Sequence, residues 1–403
     1  MGKFQSVSML LLMCGALLAF ASNAAGAQQT QPSPTPAAMP PPPVTPNTHL
    51  VSPEVHRDGT VTFRVWAPDA KDVKVLNEGA EAVPGATPEQ VEAAKRGVAM
   101  TRAENGVWSV TVGPYPAGAY QYAFLVDSVS TTDPKNPATV ESLYQVRSLF
   151  LIPGNFADMR DVPHGSVEIV YYQSKTVGKT RRMHIYLPPG YESGNASYPV
   201  LYLFHGGYGS DDEWTSVGRA NFILDNLIAE GQAKPMIIVM TDGNADSNII
   251  HAMEPDVASD AFCNDFMKDV IPYVEQHYRV TADPQHRAIA GLSMGGIQTL
   301  DISLTHPGFF SYIGIFSSGW FANTRGPFEQ INRAALESPG KKAVKLFWWS
   351  TGTDYDIAMP NTGPAIELVK KYGYVTEFHP SGGFHAWNNW RNDLHEFAPR
   401  LFQ

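Results

Sequence analysis

Residues 287–305 hold the feature that most restricts the fold of this chain. An apolar run leads into the letters Gly-Leu-Ser-Met-Gly, and a stretch predicted to be helical follows at once. A strand that turns directly into a helix can hold a serine on a sharp turn, with its hydroxyl exposed above a sheet. Gly291 and Gly295 lack the Cβ atoms that would collide across such a turn. The pattern predicts Ser293 as a nucleophile, and a serine that only caps the helix is the alternative.

The segment around this motif alternates apolar strands with helical stretches from about residue 160 onward. Within it, Phe262–Tyr278 repeats an apolar side chain at every fourth position, which indicates one buried helical face. Buried strands separated by helices predict a doubly wound, mostly parallel α/β sheet over residues 160–403. Active sites of such sheets lie beyond the carboxyl ends of the strands. The predicted strands are Val200–Phe204, Met236–Met240, Ala288–Ala290, Tyr312–Phe316, Val344–Trp349 and Val375–Phe378.

A serine becomes a strong nucleophile only when a base takes its proton and an acid orients that base. In this class of sheet the expected chain order is serine, acid, histidine. His385 follows the last predicted strand through a glycine-containing loop, so it is the predicted base. Asp354 and Asp356 both follow the preceding strand. We prefer Asp356 as the acid because of its spacing from the next predicted helix, and Asp354 remains the alternative.

Two backbone amides are expected to bind the oxyanion of a tetrahedral intermediate. The amide of Met294 directly follows the nucleophile, and Gly207 lies in the glycine-rich loop after an early strand. His205 stands in the same loop, but no cluster of His, Asp or Glu at metal-ligand spacing accompanies it. We therefore expect no catalytic metal and no cofactor.

The first 50 residues have the composition of a targeting and spacer segment. Residues 1–27 combine a lysine, an apolar run and a small-residue cleavage site, which predicts a signal peptide and a secreted or periplasmic protein. Residues 28–50 form a proline-rich linker without large apolar side chains. Only Cys263 remains after cleavage, so no intramolecular disulfide is expected.

Residues 51–155 read differently from the rest, as short alternating strands separated by turn signals. Val61–Val65, Val107–Val112 and Tyr120–Val126 are predicted strands, and residues 86–98 are the one helical stretch. The segment is predicted to be a small all-β sandwich of the immunoglobulin-like type.

Three stretches in the second half carry a resemblance to a known family: Leu203–Gly207 with Trp214, Arg287–Gly296, and Gly383–Trp387 with Trp390-Arg391. With them the chain resembles the putative esterase family of α/β-hydrolases that contains carbohydrate esterase family 1, with its feruloyl and acetylxylan esterases. The resemblance implies Ser293 as nucleophile, His385 as base, and an oxyanion hole near Gly207 and Met294. Two departures exist: Phe384 replaces a usual glycine before the histidine, and Tyr355 stands where the family usually has its acid.

The N-terminal sandwich resembles the immunoglobulin-like domains related to glycogen-binding modules that precede many bacterial esterases of this type. The likeness rests on Phe63–Pro68, Gly106–Trp108 and Tyr120–Tyr122, with Asp127 and Asp133-Pro134. Trp66 and Trp108 could stack on sugars, although tryptophans at strand positions are more often part of a core.

The resemblance implies a secreted serine esterase that removes feruloyl or acetyl groups from plant cell-wall polysaccharide. Trp214 and Trp387 are expected to contact the substrate, a polysaccharide or phenolic ester. The formal charge of −10 and the absence of a basic block argue against nucleic acid, and no apolar run predicts a membrane span. The alternatives are a siderophore (trilactone) esterase and a carbohydrate-binding protein whose hydrolase domain is inert.

Overall fold

The computed structural model describes residues 44–83, 85–245 and 254–403. The predicted signal peptide and most of the proline-rich linker therefore lie outside the described residues. Within the described ranges, no helix combines the length and the apolar character that crossing a bilayer needs.

The N-terminal part is a two-sheet β-sandwich, which confirms the predicted fold class of this segment. Its first sheet has the strand order β1-β2-β6-β5, and its second has β4-β3-β7-β10-β9, with β8 paired to β7. Helix α1, Pro88–Arg96, is capped by Thr87 and lies within the predicted helical stretch. The strands are β1 Glu54–Val55, β2 Val61–Trp66, β3 Val73–Asn77, β4 Val98–Ala99, β5 Thr101–Arg102, β6 Val107–Val112, β7 Gly118–Val126, β8 Val129–Thr131, β9 Thr139–Glu141 and β10 Val146–Ile152.

Aromatic side chains from both sheets form the core of the sandwich. The ring of Phe63 packs against Tyr122 at 4.5 Å and against Phe150 at 5.5 Å between centroids. Trp108 is also buried, and its Nε1 donates to the carbonyl oxygen of Ala67. Trp108 is therefore a core residue rather than a sugar platform.

The C-terminal part is built on one eight-stranded sheet in the order β11-β12-β14-β13-β15-β16-β17-β18. Neighbouring strands pair in parallel along β14-β13-β15-β16-β17-β18, whereas β11 pairs antiparallel with β12, and β12 pairs antiparallel with β14. This mostly parallel sheet confirms the predicted class. The strands are β11 Ser166–Ser174, β12 Lys179–Leu187, β13 Val200–Phe204, β14 Ile237–Thr241, β15 Arg287–Leu292, β16 Tyr312–Phe316, β17 Leu346–Gly352 and β18 Glu377–Ser381.

Helices cover both faces of this sheet, and two apolar clusters fill the space between them. The apolar repeat over Phe262–Tyr278 corresponds to one helical stretch whose middle, Phe266–Val270, is π-helical. A strict four-residue spacing drifts around an α-helix with 3.6 residues per turn, and the wider π-turn keeps the repeat on one face. The helices are α2 Ala220–Ala229, α3 Ala261–Asp265, α4 Ile271–His277, α5 Met294–Thr305, α6 Ala322–Ile331, α7 Arg333–Glu337, α8 Met359–Lys371 and α9 Trp387–Phe397.

The sandwich packs directly on the C-terminal sheet domain. Ala119, Val140 and Leu149 of the sandwich share one buried cluster with Val217, and Trp387 packs against it. Backbone groups also bond across the boundary, since the amide of Leu143 donates to the carbonyl of Tyr208 at 2.8 Å. The two parts therefore form one packed unit.

Candidate active site

Ser293 occupies the sharp turn between β15 and α5. Its φ of 51° and ψ of −117° are an unusual conformation for a residue other than glycine. A Cβ on Gly291 would lie 2.3 Å from the carbonyl oxygen of Gly295, and one on Gly295 would lie 2.4 Å from that of His205. Glycine is therefore required on both sides of the serine because backbone passes close to each position.

His385 and Asp356 meet beyond the carboxyl ends of β17 and β18. The Nδ1 atom of His385 lies 2.8 Å from Oδ1 of Asp356, whose carboxyl also accepts the backbone amides of Gly352 and Ala358. Burial raises the pKa of Asp356, but the hydrogen bond and charge of His385 outweigh it, so the net pKa lies below its usual value. The pair is thus a carboxylate holding an imidazole by one nitrogen.

Asp354, the alternative acid, makes a different contact. Its side chain is exposed, and its Oδ2 accepts the backbone amide of Gly383 at 2.8 Å. This bond braces the loop that carries His385 without reaching the imidazole. The structure therefore brings Asp356, and not Asp354, to His385.

The loop after β13 passes beside Ser293. A Cβ added to Gly206 would lie 3.4 Å from Cβ of Ser293, and the next residue, Gly207, lines the same cavity as the serine. Met294 is the first residue of α5, and first-turn amides have no partner within their own helix. Both predicted donors, Gly207 and Met294, therefore lie next to the serine.

His205 supports this loop from inside the protein. Its Nε2 accepts the amide of Gly243 at 2.8 Å, which leaves the proton on Nδ1 to bond the carbonyl of Gly206 at 2.7 Å. Its ring is buried, so it holds the loop in place. Across residues 44–83, 85–245 and 254–403, no group of three or more His, Cys, Asp or Glu side chains is arranged to hold a metal ion.

A cavity of about 460 Å³ contains both Ser293 and His385. Trp387 and Trp390 form part of its apolar lining, and the ring of Trp390 meets the His385 ring edge to face at 5.1 Å. The exposed Tyr208 lies beside Gly207 on the opposite loop. The volume and the mixture of aromatic and polar side chains suit a small organic group.

The sandwich supplies one wall of this cavity, which sequence reasoning missed. Glu78, Tyr120, Tyr144 and Arg147 line it, and Arg147 forms an ion pair with Glu78. No local sequence signal identifies these four residues, because they are more than 140 positions away from Ser293 in the chain and approach it only in the folded protein.

Glu213 is a further cavity residue that sequence reasoning missed. It lines the cavity, although its relative exposure to solvent is only 8%. Burial raises the pKa of its carboxyl to about 8; the charge of Asp212 adds to this rise, whereas His205 and Arg147 act to lower the pKa. Its place just after the glycine-rich loop was the one available signal.

The expectation for Trp214 needs correction. The side chain is only 1% exposed, its Nε1 donates to the carbonyl of Phe204 at 3.0 Å, and it does not line the cavity. Its ring instead supports Trp387 edge to face at 5.2 Å. Trp214 is therefore a core residue, while Trp387 does face the cavity.

Comparisons with known proteins agree with this architecture. Residues 174–401 match the family described as "Putative esterase", and residues 51–136 match "Carbohydrate-binding module 48 (Isoamylase N-terminal domain)". An endo-1,4-beta-xylanase/feruloyl esterase of Xylanibacter ruminicola is 32% identical over 362 residues. That alignment covers 87% of this chain but 46% of the relative, so the chain spans less than half of that protein.

Two solved structures illustrate the likeness in fold. A ferulic acid esterase, 26% identical with a TM-score of 0.52, covers 60% of this chain and 99% of its own. The enterobactin esterase of Shigella flexneri, 18% identical with a TM-score of 0.59, covers 85% of this chain and 93% of its own. The second match extends over more of the chain than the C-terminal domain alone, so it includes sandwich residues. Because the family match spans more than half of the chain, this protein belongs to the putative esterase family, with an α/β-hydrolase fold behind an immunoglobulin-like all-β domain.

Proposed function

We propose that this protein is a serine carboxylic-ester hydrolase that removes feruloyl or acetyl groups from plant cell-wall polysaccharide such as arabinoxylan. One observation carries the proposal: Ser293 and the Asp356-bound His385 line a single cavity. A serine, an imidazole and a buried carboxylate at one place are the groups that nucleophilic acyl transfer needs.

In the proposed mechanism His385 takes the proton of the Ser293 hydroxyl through Nε2, because Nδ1 is bonded to Asp356. The Ser293 oxygen attacks the ester carbonyl, and the amides of Gly207 and Met294 stabilise the negative oxygen that forms. The C–O bond to the alcohol then breaks, and His385 gives that oxygen its proton. Water, deprotonated by the same imidazole, releases the acid and restores the serine.

The choice of acyl group rests on the cavity and on the relatives. The cavity of about 460 Å³ falls within the range of roughly 300–1,000 Å³ that small-molecule sites occupy. Trp387 and Trp390 offer rings for a phenolic acyl group to contact. The Xylanibacter relative and the solved ferulic acid esterase are both named as esterases that act on ferulic acid esters. Secretion fits a polymeric substrate and rests on the signal-peptide pattern of residues 1–27.

A siderophore (trilactone) esterase is the second candidate. The enterobactin esterase shares the fold over 85% of this chain, sandwich included. Hydrolysis of methyl ferulate and acetylated xylan, compared with a catecholate siderophore ester, separates the two candidates. Higher kcat/KM on the siderophore ester would favour the second.

The nucleophile is tested by Ser293→Ala. We expect kcat on p-nitrophenyl acetate and methyl ferulate to fall by ~10⁴-fold or more, because the acyl-enzyme can no longer form. The matched control is Ser259→Ala, which removes an exposed serine outside the cavity and should leave the rate unchanged. A Ser293→Ala protein as active as the parent would overturn the mechanism, and a parent without activity on any ester would favour an inert carbohydrate-binding protein.

A further inference from the structure

Residues 141–145 of the sandwich form the turn from β9 to β10, and this sandwich loop lies against the loop after β13. The amide of Leu143 donates to the carbonyl oxygen of Tyr208 at 2.8 Å. The amide of Glu141 donates to Oδ1 of Asp212 at 3.1 Å. Both donors are backbone groups, so the contact depends on the path of the sandwich loop more than on the side chains it carries.

The carbonyl and the side chain of Glu141 add to this contact. Its carbonyl oxygen accepts the hydroxyl of Ser210 at 3.1 Å, and its Oε2 accepts Nη2 of Arg182 at 2.5 Å. The same Nη2 donates to Oδ1 of Asp211 at 2.7 Å. The sandwich loop is therefore attached to the loop after β13 by neutral and charge-assisted hydrogen bonds together.

Tyr208 has a backbone conformation that tyrosine rarely adopts. Its φ of 64° lies in the left-handed region. The amide of Gly209 donates to the carbonyl of Gly206 at 3.2 Å, which closes a turn with Tyr208 in the third position. Turns with a positive φ in that position usually have glycine or asparagine there, so the surroundings must hold the tyrosine in place. Because its side chain is 57% exposed, the hold comes mainly from bonds to the backbone, such as the one from Leu143.

The same turn carries the proposed second donor of the oxyanion hole. Gly207 is the second residue of the turn, directly before Tyr208, and it lines the cavity with Ser293. An oxyanion hole stabilises the developing charge only if its amides are already fixed in position, and a displacement of ~1 Å can cost ~10²-fold in rate. His205 holds this loop from inside the protein, and the sandwich loop holds it from outside.

We propose that the sandwich loop is a brace that positions the oxyanion hole, with Leu143 and Asp212 as positioning residues. The inference rests on the proposed function and goes beyond it. The sandwich takes part in the hydrolysis of every ester, including esters that carry no sugar. Its contribution is to kcat, through the geometry of Gly207, and not to the binding of a substrate.

The first test removes the acceptor of the Glu141 amide. Asp212→Ala is expected to lower kcat on methyl ferulate and p-nitrophenyl acetate about tenfold to hundredfold, with KM changed less than about twofold. Asp212→Asn keeps an oxygen that can accept the amide and should retain most of kcat. Steady-state kinetics on these two sugar-free esters measures the contrast.

The matched control is Asp269→Ala. Asp269 is also half-buried and also joins distant parts of the chain, since its Oδ2 accepts the amide of Thr176 at 2.9 Å in the turn between β11 and β12. This change removes a comparable bond far from the loop after β13. It should therefore leave kcat on both esters within about twofold of the parent.

The second test acts on the sandwich side of the contact. Leu143→Pro removes the amide that donates to Tyr208 and is expected to lower kcat to a similar extent as Asp212→Ala. Leu143→Ala keeps the amide and should retain most of kcat. Scanning calorimetry shows whether the proline variant folds, and if it does not, the Asp212 variants decide.

Three kinetic outcomes would overturn the inference. A kcat of Asp212→Ala within about twofold of the parent would show that the bond does not position the oxyanion hole. A higher KM with unchanged kcat would assign the loop to holding the substrate. An equal loss of kcat in Asp269→Ala would indicate general destabilisation instead.

Hydrogen exchange tests the brace without using activity. The amides of residues 206–212, followed by mass spectrometry, should exchange faster in Asp212→Ala than in the parent or in Asp212→Asn. A parent that hydrolyses neither ester would refute the proposed function, and this comparison then decides on the brace alone. Equal exchange in the parent and in Asp212→Ala would contradict it.

Discussion

The carboxyl of Asp356 accepts three hydrogen bonds, from the amides of Gly352 and Ala358 and from the ring of His385. Each bond favours the charged form, which explains why the pKa of this carboxyl is lowered although it is buried. A fixed negative charge at Nδ1 keeps the other ring nitrogen of His385 free to accept a proton. The carboxylate of Asp354, two residues earlier, instead accepts a hydrogen bond from the backbone amide of Gly383.

This difference predicts unequal effects of the two aspartate-to-asparagine changes. Asp356→Asn should lower kcat on methyl ferulate by ~10⁴-fold, because the amide would favour the wrong tautomer of His385. Asp354→Asn keeps an oxygen that can accept the amide of Gly383, so its kcat should fall by less than about tenfold. Steady-state kinetics of both variants measures the contrast, and a large drop confined to Asp354→Asn would contradict the assignment.

At the scale of the element, the turn between β15 and α5 depends on how closely two backbone segments approach. The Cβ position of Gly295 lies 2.4 Å from the carbonyl oxygen of His205 and 2.7 Å from Cβ of Phe204. Neither neighbour is the end of a flexible side chain, so neither can move cheaply. The same contact joins the serine turn to the loop that carries Gly207.

We therefore expect Gly295→Ala to be destabilising. The added methyl should lower the free energy of unfolding by about 1–3 kcal/mol and reduce kcat, because the loop with Gly207 must shift. Gly363→Ala is the matched control: this glycine is exposed inside α8 with nothing within 4 Å of its Cβ position. Pro364 follows this glycine and disfavours helical backbone at a residue that carries a Cβ, which offsets the usual gain of alanine in a helix, so that change should alter the free energy of unfolding by less than about 1 kcal/mol. Urea denaturation measures both, and equal effects would contradict the packing argument.

At the scale of the molecule, one arginine ties the sandwich to the esterase domain. Arg391 on α9 is 1% exposed, and its Nη1 donates to the carbonyls of Ala119 and Val217 at 3.0 Å each. Burial lowers the pKa of its guanidinium to about 10. The side chain passes so close to β7 that a Cβ on Gly118 would lie 2.8 Å from Nη2.

Removing the guanidinium of Arg391 should lower the stability of the folded protein, sandwich and esterase domain together. Arg391→Met leaves two buried carbonyls without their donor, at a cost of about 1–3 kcal/mol for each group. Arg400→Met is the matched control, because Arg400 forms a largely exposed pair with Glu377 and exposed pairs contribute about 0–1 kcal/mol. Scanning calorimetry should show a clearly lower Tm for Arg391→Met only. Equal Tm values for the two variants would refute the role of Arg391 as a domain tie.

Some parts of the fold escaped sequence reasoning for physical reasons. The hairpin β11–β12 was not among the predicted strands, although it forms one edge of the sheet. Its first strand alternates between exposed and buried positions, unlike the fully buried strands in the centre. Val344 and Val375 lie just outside strands β17 and β18, because apolar residues continue into the flanking turns. Both strands also run three residues past their predicted ends, whereas β13, β14 and β16, which are almost entirely apolar, were predicted to within one residue at each end.

By itself, the sequence determined the fold class and the candidates for the nucleophile, the base and the oxyanion loop. Those signals are local: a glycine pattern, an apolar period and the order of elements are properties of a few consecutive residues. Only the tertiary structure decided which aspartate meets His385, that Trp214 is buried, and that the sandwich walls the cavity around Ser293. These depend on loop paths and on the docking of one domain against another, and distances between remote segments exist only once the chain has folded.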